Sequence, residues 1–337
     1  MLHFAVRPLC LVLATGSIVA CAPMPVTSND GGDSGVAADV RGTIEDSASV
    51  QDASVMDVMN AVDVTEPTDS GVARDVQTTD APTMGDSGGA GRSAGCGRAS
   101  SIALNAFVAR SIAVGMSMRD YYVRLPTGYD PNRAYPIVYQ FHGCSTAAAR
   151  QDNNPPVHNA SGANAIIVRG RAAANCWDNA TAGPDIPYID AMIADAERTF
   201  CVDTSRRFAS GYSSGAFMTH RLACIRGALF RGVASIAGGQ SGSMCTGNVA
   251  ALLIHDTNDM TVNVSESIRA RDNHVMRNGC NAMAARTPVM PMPCESYAGC
   301  MAGLPVVWCQ TSGQDHSRQD SLAGPAFWNF FNSLPPR

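Results

Sequence analysis

Five residues, Gly211-Tyr212-Ser213-Ser214-Gly215, lie between Arg207 to Ser210, which reads as a strand, and Ser214 to Ile225, which reads as a helix. A chain that passes from strand to helix so abruptly needs small residues flanking the turn. It holds the central serine in a strained conformation with its oxygen exposed. The G-x-S-x-G string alone is common in glycine-rich chains, where such a serine merely caps a helix; the strand-turn-helix setting is what gives it weight. The surrounding pattern agrees with that setting. Tyr121 to Leu125, Pro136 to Phe141, Ala165 to Val168, Gly232 to Ile236, Val249 to His255 and Leu304 to Cys309 read as further strands. Helical spacing marks a segment opening at Asp185 as N-cap, with Ile189, Met192, Ile193 and Ala196 on one face, and others at Glu266 to Arg277 and Pro325 to Asn332. The alternation predicts an α/β fold with a mostly parallel sheet of about eight strands, helices on both faces, and no second folded domain.

A serine hydroxyl is a weak nucleophile without a base, and the base needs an acid to orient it. In folds that present a serine at such a turn, the acid and then the base follow it in chain order. After the strand ending at His255 come Asp256 and Asp259; Asp259 is favoured, with Asp256 as its rival. Two histidines follow. His274 falls inside a predicted helix and is expected to face solvent, which leaves His316, in the loop Gly313-Gln314-Asp315-His316, as the candidate base. Acyl transfer also needs donors for a developing oxyanion. The strand ending Phe141-His142-Gly143-Cys144 stands upstream of the turn, so the backbone N–H groups of Cys144 and Ser214 are the expected donors, with Cys144 itself in a disulfide.

The first hundred residues are made differently. Residues 1–21 read as an export signal: Arg7 opens it, an apolar run follows, and Ile18-Val19-Ala20-Cys21 resembles a bacterial lipobox that would place lipid on Cys21. The run is too short to span a bilayer, and Ala22 after the cysteine favours export to an outer membrane. Residues 22–95 hold 13 acidic residues against 3 arginines, and no aromatic residue. Such a segment cannot bury enough apolar surface to offset its ordering entropy, so it is expected to be a disordered acidic linker. The near-repeat Asp33-Ser34-Gly35-Val36-Ala37 and Asp69-Ser70-Gly71-Val72-Ala73 lacks calcium-loop spacing and fits a solvated spacer. The folded domain is placed at 96–337.

That domain carries 20 arginines and 16 acidic residues with no clustered basic stripe, which gives no support for nucleic-acid binding. Ten of the 12 cysteines fall within it, an even number that outside the cytoplasm reads as disulfides, with the pairing left open. No pair has the close spacing of a structural zinc site, and neither metal nor organic cofactor is expected.

From about Gly95 to Leu334 the chain resembles secreted esterases of the α/β-hydrolase fold, a group of feruloyl esterases, acetylxylan esterases and polyhydroxybutyrate depolymerases. Cys201-Val202-Asp203-Thr204-Ser205-Arg206-Arg207 leading into the serine turn looks most like the feruloyl esterases, as does the tail from Val307-Trp308-Cys309 to Trp328-Asn329-Phe330-Phe331. His142-Gly143-Cys144 with Cys176-Trp177-Asp178 looks more like the depolymerases. That resemblance implies a Cys144–Cys176 bond with Trp177 lining the site, and suggests a Cys201–Cys245 bridge. Two departures stand out: Ala216 replaces a second glycine, and the histidine loop has Asp315-His316-Ser317 where the family has glycine, histidine, an aromatic residue and proline. The resemblance implies hydrolysis of carboxylic esters through an acyl-enzyme on Ser213, with His316 and Asp259, and with Trp177 and Tyr212 as candidate walls of the acyl pocket. The expected partner is an ester-bearing polysaccharide, or else a polyester, bound by a monomer that meets a membrane only through its lipid. A non-catalytic, surface-displayed binding protein on the same scaffold is the competing class.

Overall fold

The computed structural model describes residues 91–145, 152–240 and 245–337, which belong to one compact unit of the chain. The signal at 1–21 with Cys21, and the acidic segment up to residue 90, lie outside the described residues. Packed chain begins ahead of the boundary placed at residue 96. Arg92 forms a bridge with Asp203, the Ser93 amide donates to the Val202 carbonyl at 2.9 Å, and the Gly95 amide donates to the Glu197 carbonyl at 2.8 Å. Backbone pairing, which composition does not report, thus draws the last residues of the expected linker into the fold.

One sheet organises everything else. Its strands are β1 (Val108–Val114), β2 (Ser117–Arg124), β3 (Tyr135–Phe141), β4 (Ile166–Arg169), β5 (Val202–Tyr212), β6 (Gly232–Ile236), β7 (Ala250–Asp256), β8 (Thr287–Pro288), β9 (Cys294–Ser296) and β10 (Val306–Thr311). They lie in the order β1-β2-β4-β3-β5-β6-β7-β10-β9-β8. From β4 to β10 all neighbours run parallel, while β1, β2, β9 and β8 add antiparallel margins. This is the α/β-hydrolase fold with ten strands instead of the expected eight. β3, β4, β6 and β7 are buried at every residue, as parallel strands covered on both faces must be. The strands not foreseen are marginal: β1 is a largely exposed edge strand, and β8 and β9 are too short for periodicity to register.

The two faces carry separate cores. On one, Ile189 and Met192 of α2 (Asp185–Thr199), Met218 and Leu222 of α3 (Ser214–Ile225) and Val275 of α4 (Val264–Arg277) pack against Tyr139, Val233 and Leu253. On the other, Val157 of α1 (Val157–Ser161) and Phe327 and Phe331 of α5 (Asp320–Ser333) pack on Val138, Phe208 and Leu252, with the Phe208 and Phe331 rings stacked at 4.5 Å. No helix among the described residues is long and apolar enough to cross a membrane.

All ten domain cysteines are paired: Cys96–Cys201, Cys144–Cys176, Cys224–Cys245, Cys280–Cys300 and Cys294–Cys309. The expected Cys144–Cys176 bond is present, whereas Cys201–Cys245 is replaced by two others. Cys201 lies just ahead of β5, where the Ser93 to Cys96 segment docks, and Cys245 is held beside the end of α3 by the Thr246 amide donating to the Cys224 carbonyl. Each cysteine therefore meets a nearer partner.

His274 also departs from expectation. It is buried, with Nε2 3.2 Å from Nδ1 of His220, whose own Nε2 is 2.8 Å from Ser235 Oγ. A place within a helix led to the expectation of a solvent-facing side chain, but His274 turns toward α3. Burial lowers His220 to about 4 and holds His274 well below the usual histidine range. Both rings are thus neutral in the fold but take up protons on unfolding below about pH 6.5, so the unfolded state binds more protons and stability falls with pH. A depression like that of His220 corresponds to about 2 kcal/mol lost between pH 7 and pH 5. Urea denaturation across that interval should show the midpoint dropping steadily as pH falls; a flat profile would contradict the buried neutral pair.

Candidate active site

The turn after β5 is built by exclusion of side chains. A Cβ at Gly211 would overlap the Gly215 carbonyl, and one at Gly215 would overlap the carbonyl of Phe141 at the end of β3. With both absent, the start of α3 drops onto the ends of two strands. Ser213 takes the strain, at φ 53° and ψ −119°, and its amide donates to the Ile236 carbonyl of β6 at 3.0 Å. A serine in this left-handed region is uncommon and persists only where packing dictates it.

His316 arrives from the loop between β10 and α5. Its Nε2 lies 2.9 Å from Ser213 Oγ and its Nδ1 lies 2.7 Å from Asp259 Oδ2. Because the carboxylate only accepts, Nδ1 carries the hydrogen, which leaves Nε2 free to accept the serine proton. Asp259 Oδ1 takes the amides of Thr261 and Val262 at 2.9 and 2.8 Å. Burial alone would raise the Asp259 carboxyl, but the hydrogen bond from His316 and the two amides bring it below the usual carboxylate range. Asp256 does not reach the imidazole. Its Oδ1 accepts the Asn258 amide and its Oδ2 the Gln314 amide, each at 2.9 Å, so it shapes the loop that carries His316. Asn258 Oδ1 also accepts the Gly313 amide at 3.1 Å. Asp315, standing where the family has glycine, adopts φ 51°, a left-handed conformation that Asp tolerates better than most residues.

Opposite the histidine, Gly143 and Cys144 follow β3. Among the described residues no acceptor is recorded for the amides of Cys144 and Ser214, and Ser214 opens α3, where first-turn N–H groups point outward. The segment 171–178 is fastened to this strand end. Cys144 bonds to Cys176, the Ser145 amide donates to the Asn175 carbonyl at 2.9 Å, and the Ala172 amide donates to His142 Nε2 at 3.2 Å. The Trp177 amide donates to Ser214 Oγ at 2.9 Å. Asp185, expected as the N-cap of α2, is instead its first residue after Pro184. Its fully buried carboxylate accepts the Ala173 and Asp178 amides at 3.0 and 2.8 Å and pairs with Arg119 at 2.7 Å. Nothing in the sequence signals that long-range role.

Trp177 and Tyr212, the expected pocket walls, both make bracing contacts beside the site. Trp177 is 5% exposed and packs edge-on to Phe141 at 5.1 Å, with its indole N–H donating to the His142 carbonyl at 3.0 Å; it supports the site from below. Tyr212 donates its hydroxyl to the His316 carbonyl at 3.0 Å and sets its ring 5.3 Å from the imidazole. That ring also fills the space a Cβ on Gly143 would need, so it braces the histidine loop and the strand end together. Among the described residues no group of three or more His, Cys, Asp or Glu side chains is arranged to hold a metal ion.

No protein-family model matches the chain. It is 30% identical over 241 residues to feruloyl esterase D of Neurospora crassa, covering 64% of this chain and 81% of that one. It is 32% identical over 237 residues to a probable feruloyl esterase C of Aspergillus clavatus, covering 65% and 85%. The fold is shared with the acetyl xylan esterase of Aspergillus awamori, at a TM-score of 0.54 and 16% identity over 67% of this chain and 99% of that one. Sequence likeness running through more than four-fifths of those relatives' length makes this chain a member of the feruloyl esterase family of carboxylic-ester hydrolases.

Proposed function

We propose that the protein is an exported serine esterase that cleaves hydroxycinnamoyl or acetyl esters of plant cell-wall polysaccharide through an acyl-enzyme. One observation carries the chemistry: Ser213 Oγ, both nitrogens of His316 and Asp259 Oδ2 form an unbroken line of hydrogen bonds of 2.9 and 2.7 Å. In this reading Ser213 attacks the ester carbonyl while its proton passes to His316 Nε2. The imidazolium so formed is stabilised by Asp259, whose carboxylate is kept ionised by the His316 hydrogen bond and the Thr261 and Val262 amides. The Ser214 and Cys144 amides hold the oxyanion. Collapse releases the alcohol with the proton from His316, and water repeats the sequence on the acyl-enzyme. Nothing in it calls for a cofactor.

The ester class is supported by the relatives, whose names specify feruloyl esterases. Export is supported by five disulfides, which persist in oxidising compartments. Attachment through lipid on Cys21, at the outer membrane of a Gram-negative cell, rests on Ile18 to Cys21 and Ala22 in the sequence, and a monomer remains the working expectation. The intact proton relay weighs against a non-catalytic binding protein on this scaffold.

Purified full-length protein should hydrolyse methyl ferulate and a short p-nitrophenyl ester and leave polyhydroxybutyrate particles untouched; release of soluble product from the polymer alone would overturn the substrate assignment. Asp259→Asn should lower kcat by roughly 10³–10⁴-fold through the wrong imidazole tautomer. Asp256→Asn, which loosens the loop without touching the ring, should cost only about 10-fold. Equal losses in steady-state assays of the two variants would contradict the division of labour between the two carboxylates.

A further inference from the structure

A second histidine meets the carboxylate that orients the first. His255 is the penultimate residue of β7, just ahead of Asp256, and is completely buried. Its Nε2 lies 3.2 Å from Asp259 Oδ2, the oxygen that also receives His316 Nδ1. The same nitrogen lies 2.9 Å from the Val262 carbonyl, which can only accept, so Nε2 carries the hydrogen and shares it between Val262 and Asp259. On the far side Nδ1 lies 2.5 Å from Ser267 Oγ of α4, and that hydroxyl also contacts the Gly238 carbonyl. Gly238 in turn sits against the elbow, where an added Cβ would meet Ala216 Cβ at 2.5 Å and the Ser213 carbonyl at 2.8 Å. Polar contacts therefore run from Ser213 through His316, Asp259, His255 and Ser267 to Gly238, whose backbone packs against Ser213.

Two consequences follow from this ring. The position of Asp259 is fixed from three directions: the Thr261 and Val262 amides hold Oδ1, and His255 stands behind Oδ2. The Val262 unit is clamped twice, its amide on Asp259 and its carbonyl on His255, so ring and carboxylate cannot move independently. Burial lowers His255 below the usual histidine range, against the opposing pull of the Val262 carbonyl and the Asp259 carboxylate.

We infer that His255 is a positioning residue for ester hydrolysis: its Nε2–H aims Asp259 Oδ2 at His316, while Ser267 holds the ring from α4. This rests on the serine-esterase reading above and adds to it a residue that acts through Asp259.

Glutamine can place an amide N–H near the position of Nε2, whereas asparagine reaches only the position of Nδ1. The test is steady-state hydrolysis of methyl ferulate by full-length wild type, Ser213→Ala, His255→Gln and His255→Asn, each checked for a cooperative thermal transition. His255→Asn should lose about 10–100-fold in kcat with KM changed less than about threefold, because a misaimed orienting group affects the transition state more than substrate binding. His255→Gln should recover to within about fivefold of wild type. If His255→Asn does not fold, Ser267→Ala, which releases the ring at Nδ1, should show the same fall in kcat at constant KM to a lesser degree. Wild-type kcat in a folded His255→Asn, or equal losses in the Asn and Gln variants, overturns the positioning role while leaving the esterase reading standing. Loss of nothing in Ser213→Ala, or an inactive wild type, overturns the esterase reading and this inference with it.

Discussion

Everything at the candidate site depends on how closely the start of α3 can approach the end of β3. A side chain at residue 215 would overlap the Phe141 carbonyl, and one at residue 211 would overlap the carbonyl of Gly215. The missing atoms let the helix leave the strand at once, force Ser213 to φ 53°, and bring its oxygen above the sheet, within 2.9 Å of His316 Nε2. The same approach sets Ser214 as the first residue of α3, with its hydroxyl free to receive the Trp177 amide. Steric exclusion at two glycines thus fixes a nucleophile candidate, an oxyanion-donor candidate and the anchor of a neighbouring loop.

Around that bend three buried carboxylates do the work of loop templates. Asp185 gathers 171–178, Asp256 gathers the turn before His316, and Asp259 gathers its own following amides while holding the imidazole. Each is surrounded by backbone N–H donors, and Asp185 also by a guanidinium, which offsets the cost of burying charge. The disulfides add covalent ties: Cys144–Cys176 joins the segment 171–178 to the strand end, and Cys280–Cys300 with Cys294–Cys309 fasten the β8 and β9 excursion. Tyr212 and Trp177, expected as walls for substrate, also take part in this bracing.

Local physics made part of this legible in advance. A glycine-flanked serine between a strand and a helix is a short-range pattern, and buried parallel strands such as β3 and β7 are continuous apolar runs, so the elbow, the sheet and the chain order of Ser213, Asp259 and His316 could be read directly. Contacts across sequence could not. The roles of Asp185, Asp256 and His255 arise from partners brought together only by folding, as does the burial of His274 against His220. The Cys201–Cys245 expectation, borrowed from resemblance, gave way to Cys96–Cys201 and Cys224–Cys245 because partner choice follows which loops dock at the ends of β5 and α3. Edge strands and two-residue strands lack the pattern that reveals central ones.

The chemistry of the site rests on activation of the Ser213 hydroxyl by His316 for attack on an electrophilic centre. A fluorophosphonate reports that activation without any choice of ester, and peptide mapping by mass spectrometry locates the adduct. Ser213 should be modified rapidly and stoichiometrically in the folded protein, and not after unfolding or in His316→Ala. A folded sample that stays unmodified, or an adduct on any other residue, would contradict that activation.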